Sequence, residues 1–276
     1  MYEELQIRNI ACLALAKTAG PCYFLDVGAA AGPNHPALDY LLKQSAINFH
    51  GLEPDPVACE HLRRTFPTGT FTEHAIADVA GERTLYVTLV GGCSSCLEPN
   101  EEVISKYPIA NWMKVIEKRE IQVTTASHLI QNNLIPIPDF IKLDIQGLEY
   151  EALQGFGDYL DNVIGIELEA TLKPIYKNQK LLWQIIELLN DRGFILRDLQ
   201  HQGPFEHELI EANVFFSRSP TDESVNIYKL KLWEFFSEIS SPQSLGQLKI
   251  RNGAPGQEIF AGVRENHWQR LLGELV

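Results

Sequence analysis

Short apolar runs alternating with amphipathic helical patterns constrain this chain more than any other feature of its sequence. Runs at 22–27, 47–52, 139–145 and 163–168 are largely apolar, as strands covered on both faces of a sheet must be. Helical patterns at 3–19, 56–65 and 178–191 lie among them. In the last of these Leu182, Ile185, Ile186 and Leu189 share one face, and Gly193 stops the helix. Such alternation predicts an α/β fold, a doubly wound and mostly parallel sheet with helices on both faces. Two further runs, 194–199 and 212–216, follow one another without a helix, so the last strand is expected to be antiparallel.

Local signals refine this outline. Asn34 is placed to cap a helix carrying Leu38, Leu41 and Leu42. Asp55 before Pro56 forms a cap and first-turn pair for the helix at 56–65. Further strands are expected at 70–76 and 84–90. Residues 91–118 read as a long loop with one helical piece at 111–116, and a loop of that length inside a domain is usually functional. The main domain is expected to span 1–218. Residues 219–276 are expected to form a helical or irregular appendage used for packing or homodimerisation, with a helix at 227–239 bearing Tyr228, Trp233, Phe235 and Phe236.

The 36 acidic residues outnumber the 23 basic ones, for a formal net charge of −13. That balance argues against nucleic acid as a partner, which is held mainly by basic side chains. The apolar run at 10–16 is far shorter than the roughly 20 residues of a transmembrane span, and no secretory signal pattern precedes it. A soluble, cytoplasmic protein is the expectation. The five cysteines form no scaffold spacing, and the lone pair Cys93 and Cys96 lacks the second pair that a structural zinc site wants.

Acids recur where strands end. Asp26 closes the first strand and precedes Gly28-Ala29-Ala30-Ala31-Gly32, a turn of small residues that lets a ligand approach the backbone. An acid there repels a pyrophosphate but suits an ammonium group such as the amino-acid end of S-adenosylmethionine. Glu53, at the end of the second strand, stands where a carboxylate grips a ribose diol. Asp78 ends the third strand, in reach of an adenine edge. Asp144 ends the fourth buried strand, beside the reacting centre in such a fold. Glu149, at the start of the next helix, is accounted for by the helix dipole.

These residues carry a resemblance. The blocks Phe24-Leu25-Asp26-Val27-Gly28-Ala29, Leu52-Glu53-Pro54 and Ala80-Gly81-Glu82-Arg83-Thr84-Leu85-Tyr86-Val87 come first. Ser94-Ser95, Val123-Thr124-Thr125-Ala126-Ser127-His128-Leu129-Ile130 and Phe140-Ile141-Lys142-Leu143-Asp144-Ile145-Gln146-Gly147-Leu148-Glu149 follow, with Glu151-Ala152-Leu153-Gln154-Gly155 behind them. Together, over about 22–218, they resemble the FkbM-type methyltransferases, a class I group dependent on S-adenosylmethionine. The resemblance implies a seven-stranded Rossmann-like sheet and methyl transfer, usually to a hydroxyl of a sugar, glycolipid or polyketide-like small molecule. It also implies that Asp26, Gly28, Ala29, Gly32, Glu53 and Asp78 line the cofactor. Two positions depart from the family: Ala30 stands where asparagine is frequent, and Gln146 where glutamate is usual.

Methyl transfer is an in-line displacement, for which a protein supplies positioning and a base. Asp144 is the candidate base or orienting group; His74, His128, His201 and His207 are the alternatives. A divalent metal could be held by Asp144 with one of Glu167 or Glu169, only one of which is expected to face the site, and no metal is assigned. A non-catalytic S-adenosylmethionine-binding partner subunit is the rival reading, motivated by Ala30 and Gln146. An NAD-linked oxidoreductase fits Glu53 but not Asp26.

Overall fold

The computed structural model describes residues 2–33, 35–205 and 208–237. Strands β1 (Tyr23–Val27), β2 (Asn48–Leu52), β3 (Thr70–Thr72), β7 (Phe140–Leu143), β8 (Gly165–Thr171), β9 (Phe194–Gln202) and β10 (Glu211–Arg218) form one seven-stranded sheet in the order β3-β2-β1-β7-β8-β10-β9. The pairs among β3, β2, β1, β7 and β8 are parallel, and β10 runs antiparallel to both its neighbours. The short β4 (Ala75–Ile76), β5 (Gly81–Thr88) and β6 (Val115–Thr124) form a second, three-stranded sheet. This corrects two expectations. The run at 70–76 is split between two sheets, and 115–124 is a strand where a loop with a helical piece was expected at its start.

Strand alternation places apolar side chains on both faces of the main sheet. On one face Phe24, Phe49, Phe140 and Phe215 meet buried residues of α1 (Tyr2–Ala19), α2 (Pro36–Lys43) and α8 (Ile227–Phe236). On the other, Leu25, Val27, Ile141, Leu143, Ile166 and Leu168 pack with α5 (Ala126–Gln131), α6 (Glu149–Gly155) and α7 (Leu182–Asp191). The helix α3 (Pro56–Thr65) is capped as its sequence indicates, since Asp55 accepts from the amides of Val57 and Ala58. Asn34 lies outside the described residues, and His35 occupies the cap position of α2.

α8 belongs to this core. Its Leu230, Leu232, Trp233 and Phe235 are buried, and Trp233 lies so close over Gly165 that a Cβ there would strike its ring. The residues at 238–276 lie outside the described residues. Asn226 accepts from the amides of Tyr228 and Lys229 to cap α8 and donates to the Ala19 carbonyl at 3.2 Å, so it joins α8 to α1. Asn226→Ala is therefore expected to cost about 1–2 kcal/mol, the upper end of a lost cap. Calorimetry would register this as a fall of a few degrees in melting temperature.

A smaller cluster sits above the carboxyl ends of β8 and the start of β10. Ile104, Ile109, Met113, Ile175, Tyr176, Phe205 and Ile210 form it, with Tyr107 edge-on to Phe205 at 5.2 Å. Part of the 91–118 segment is thus a packed cap, fastened by the Asn100 amide to the Ile175 carbonyl and by the Lys177 amide to Glu98. No described helix is long and apolar enough to cross a membrane.

Candidate active site

β1 is tied at its carboxyl end to both β2 and β7. The Gly28 amide donates to the Leu52 carbonyl and the Asp144 amide to the Val27 carbonyl, each at 3.0 Å. Gly28 takes φ +81°, and a Cβ added there would collide with the Asp144 carbonyl. Only glycine meets both conditions. Ala29 is buried in the short 3-10 turn that follows, and Gly32 ends it at φ 66°.

Asp26 is 1% exposed and its Oδ1 has no hydrogen-bond partner. Lys142 Nζ lies 3.6 Å from that oxygen and 3.4 Å from Asp144 Oδ2, so one ammonium serves both carboxylates. Burial pushes Asp26 up to about 6, against the pull of Lys142. Burial works against the Lys142 charge too, but Asp26, Asp144 and Glu167 outweigh it and raise its pKa. Glu53 is buried and accepts from the Asp55 amide at 2.8 Å, which fixes its carboxylate at the end of β2; burial raises its pKa. Asp78 follows β4 in the second sheet and accepts from Arg83 at 2.6 Å, so its carboxylate is held by a cation. That pairing was not foreseen.

Asp144 keeps 39% of its side chain exposed. Gln146 Nε2 donates to Asp144 Oδ1 at 3.0 Å and to Glu169 Oε2 at 2.8 Å, while Gln146 Oε1 accepts from the Tyr176 hydroxyl at 2.9 Å. The Gln146 carbonyl accepts from Ser95 Oγ at 2.6 Å. Gln146 does this in the left-handed region, at φ 55°, a strained placement for a residue with a side chain. It fastens the loop after β7 to the cap. Glu149 has a fuller role than the helix dipole: it is buried, and its carboxylate accepts from the Ile145 and Gly147 amides. Burial nonetheless raises it to about 8.

A crevice beside Asp144 is lined by Lys142, Leu143, Glu167, Leu168, Glu169 and Asn213. Glu167 and Glu169 both face it, against the expectation that only one would, because residues two apart on a strand share a face. His35, Glu211 and Asn213 were missed. His35 Nε2 lies 2.8 Å from Glu167 Oε2; burial opposes its charge, but Glu167 prevails and its pKa rises. Of the histidines proposed as bases, His128 and His201 are exposed away from the crevice and His207 lies outside the described residues. His74 is half-buried beside β3, with its pKa lowered by burial. Among the described residues no group of three or more His, Cys, Asp or Glu could hold a metal ion. All five cysteines are free thiols, and burial pushes Cys93 up to about 11.

The family model described as the methyltransferase FkbM domain matches residues 26–196, more than half of the chain. The chain belongs to the FkbM methyltransferase family. It is thus an S-adenosylmethionine-dependent methyltransferase, and the FkbM match begins on Asp26 and takes in Glu53, Asp78 and Asp144. The FkbM domain is similar in structure to a TehB-like SAM-dependent methyltransferase from Corynebacterium glutamicum, with 12% identity, TM-score 0.35 and coverage of 76% of this chain and 88% of that one. It is similar also to magnesium protoporphyrin IX methyltransferase from Synechocystis PCC 6803, with 12% identity, TM-score 0.39 and 78% of each chain covered. No curated protein matches the chain.

The residues fit the cofactor of this family. Asp26 Oδ1 is a buried acceptor without a hydrogen-bond partner, and Gly28 holds the turn beside it where a Cβ would strike the Asp144 carbonyl. The buried acids also set a pH dependence. Glu149, Glu169 and Glu211 rise from 4.5 to about 8, 9 and 7, each first through burial. The folded state therefore binds more protons than the unfolded one, and stability falls as pH rises through those values. Stability is expected to drop by about 2 kcal/mol or more between pH 7 and pH 9. Urea unfolding at both pH values would measure it, with a shallower slope in Glu149→Gln; a stability that rises over this window would contradict it.

Proposed function

We propose that this methyltransferase acts on a hydroxyl group of a sugar, glycolipid or polyketide-like small molecule, with Asp144 as base or orienting group. The observation that supports this most is Asp144 itself, a part-exposed carboxylate at the carboxyl end of β7 held from two sides by Lys142 and Gln146. S-adenosylmethionine supplies a methyl group already activated on a sulfonium. Asp26 and Glu53 would hold it, at its amino-acid end and its ribose, with Ala29 and Gly32 shaping the turn between them and Asp78 near the adenine.

What remains for the chain is to align the acceptor and receive its proton. Asp144 can take a hydroxyl proton because its carboxylate is accessible. The cap over β8 and β10 is tied to the Asp144 side of the crevice through the Tyr176–Gln146 hydrogen bond. The acidic balance of the chain supports a small-molecule acceptor over nucleic acid.

Transfer of a labelled methyl group from S-adenosylmethionine to a panel of sugars, glycolipids and polyketides, with the product located by NMR, tests this reading. A new methyl ether is the expected product. A methyl group found only on nitrogen, carbon or sulfur would overturn it.

A further inference from the structure

Five carboxyl groups line the polar half of one sheet face along β1, β7, β8 and β10. Three have a basic partner: Asp26 and Asp144 share the Lys142 ammonium, at 3.6 and 3.4 Å, and Glu167 has the His35 ring at 2.8 Å. Glu169 and Glu211 have none among the described residues. The hydrogen bond that Glu169 accepts from Gln146, at 2.8 Å, comes from a neutral amide.

The register of β8 against β10 sets these two acids side by side. Glu169 faces Asn213 and Thr171 faces Glu211 in an antiparallel pair, in which directly opposed side chains share a face. Thr171 is 2% exposed and its hydroxyl has no hydrogen-bond partner. A buried hydroxyl left unpaired is costly, and this one flanks both unmatched carboxyls. The two acids also feel one another: burial first, then the charge of the neighbouring acids, raises both. Among the described residues the corner therefore lacks positive charge and has acceptors to spare. No group of described residues there has the arrangement a metal ion needs.

We propose that Glu169, Glu211 and Thr171 seat a protonated amine of the methyl acceptor, which makes the acceptor an amino sugar or amino alcohol. An ammonium has three N–H donors and no acceptor; on binding it displaces the protons these buried carboxyls hold, which leaves two carboxylates and a free hydroxyl to accept from it. Asn213 beside them supplies a neutral amide for an adjoining hydroxyl. The inference deepens the O-methyltransferase reading and rests on it.

Titration of the S-adenosylhomocysteine-loaded protein at pH 7 with D-glucosamine against D-glucose, and ethanolamine against ethylene glycol, tests it. NMR shifts would report binding. At least one amine is expected to bind tenfold or more tightly than its hydroxyl counterpart. The preference should vanish in Glu169→Gln/Glu211→Gln, with S-adenosylhomocysteine affinity kept within twofold. Should that double variant fail to fold, Glu211→Gln alone is expected to cut the preference at least threefold. No preference in either pair, with S-adenosylhomocysteine still bound, overturns this inference alone. Magnesium chloride that binds tightly and depends on Glu169 and Glu211 overturns it too, since the missing charge is then a metal ion. Failure of the wild-type protein to bind S-adenosylhomocysteine overturns the methyltransferase reading beneath it.

Discussion

Gly28→Ala is expected to lower the melting temperature by about 6–12 °C and to weaken S-adenosylhomocysteine binding at least 100-fold. Two costs add. A residue with a Cβ held at φ +81° loses roughly 1–2 kcal/mol. The new Cβ would also collide with the Asp144 carbonyl and lie 2.9 Å from its carbonyl carbon. That atom is backbone at the end of β7, so no rotamer change relieves the contact, and the loops after β1 and β7 must part. A total near 3 kcal/mol is about what such a combination costs. The displaced elements carry Asp26, Ala29 and Asp144, which is why binding suffers with stability. Calorimetry and ligand titration of one preparation measure both; unchanged values in each would contradict this account of the turn.

Asp144→Asn is expected to lower kcat about 10²- to 10⁴-fold, the usual contribution of a positioned base. The change keeps the shape of the side chain and one oxygen to receive the Gln146 amide, so the fold and cofactor affinity should change little. The loss then belongs to kcat and not to ligand binding. Steady-state kinetics with the acceptor found by labelled-methyl transfer make the comparison. A variant as fast as wild type would return the proton to water or to another side chain, and Asp144 would be an orienting group only.

The sheet was legible in the sequence where one physical requirement dominated. β1, β7 and β8 are covered on both faces, so their residues must be apolar except where a strand end meets the site. Asp26 and Asp144 stood out for that reason. The cap at Asp55-Pro56 was equally plain. β6 was not, because Val115–Thr124 pairs mainly with β5 in a sheet lying off the core; both its faces meet water, and Glu117, Lys118, Arg119 and Glu120 read as solvated chain. Glu149 looked like an ordinary first-turn acid, since nothing local says that its carboxylate folds back onto the Ile145 and Gly147 amides. His35 and Glu167 are 132 positions apart. Asn213 reaches the crevice only because β10 runs antiparallel beside β8, with Glu211 two residues before it on the same face. The same-face spacing of Glu167 and Glu169 was the signal available for finding that crevice.

Binding of the cofactor product at the ends of β1 and β2 tests the central claim most directly. Isothermal titration of wild type and Glu53→Ala with S-adenosylhomocysteine, and of wild type with NAD, separates the possibilities. The account predicts micromolar binding to wild type, at least a tenfold loss in Glu53→Ala, and no binding of NAD. Tight binding of NAD, or wild-type protein that ignores S-adenosylhomocysteine, would contradict it.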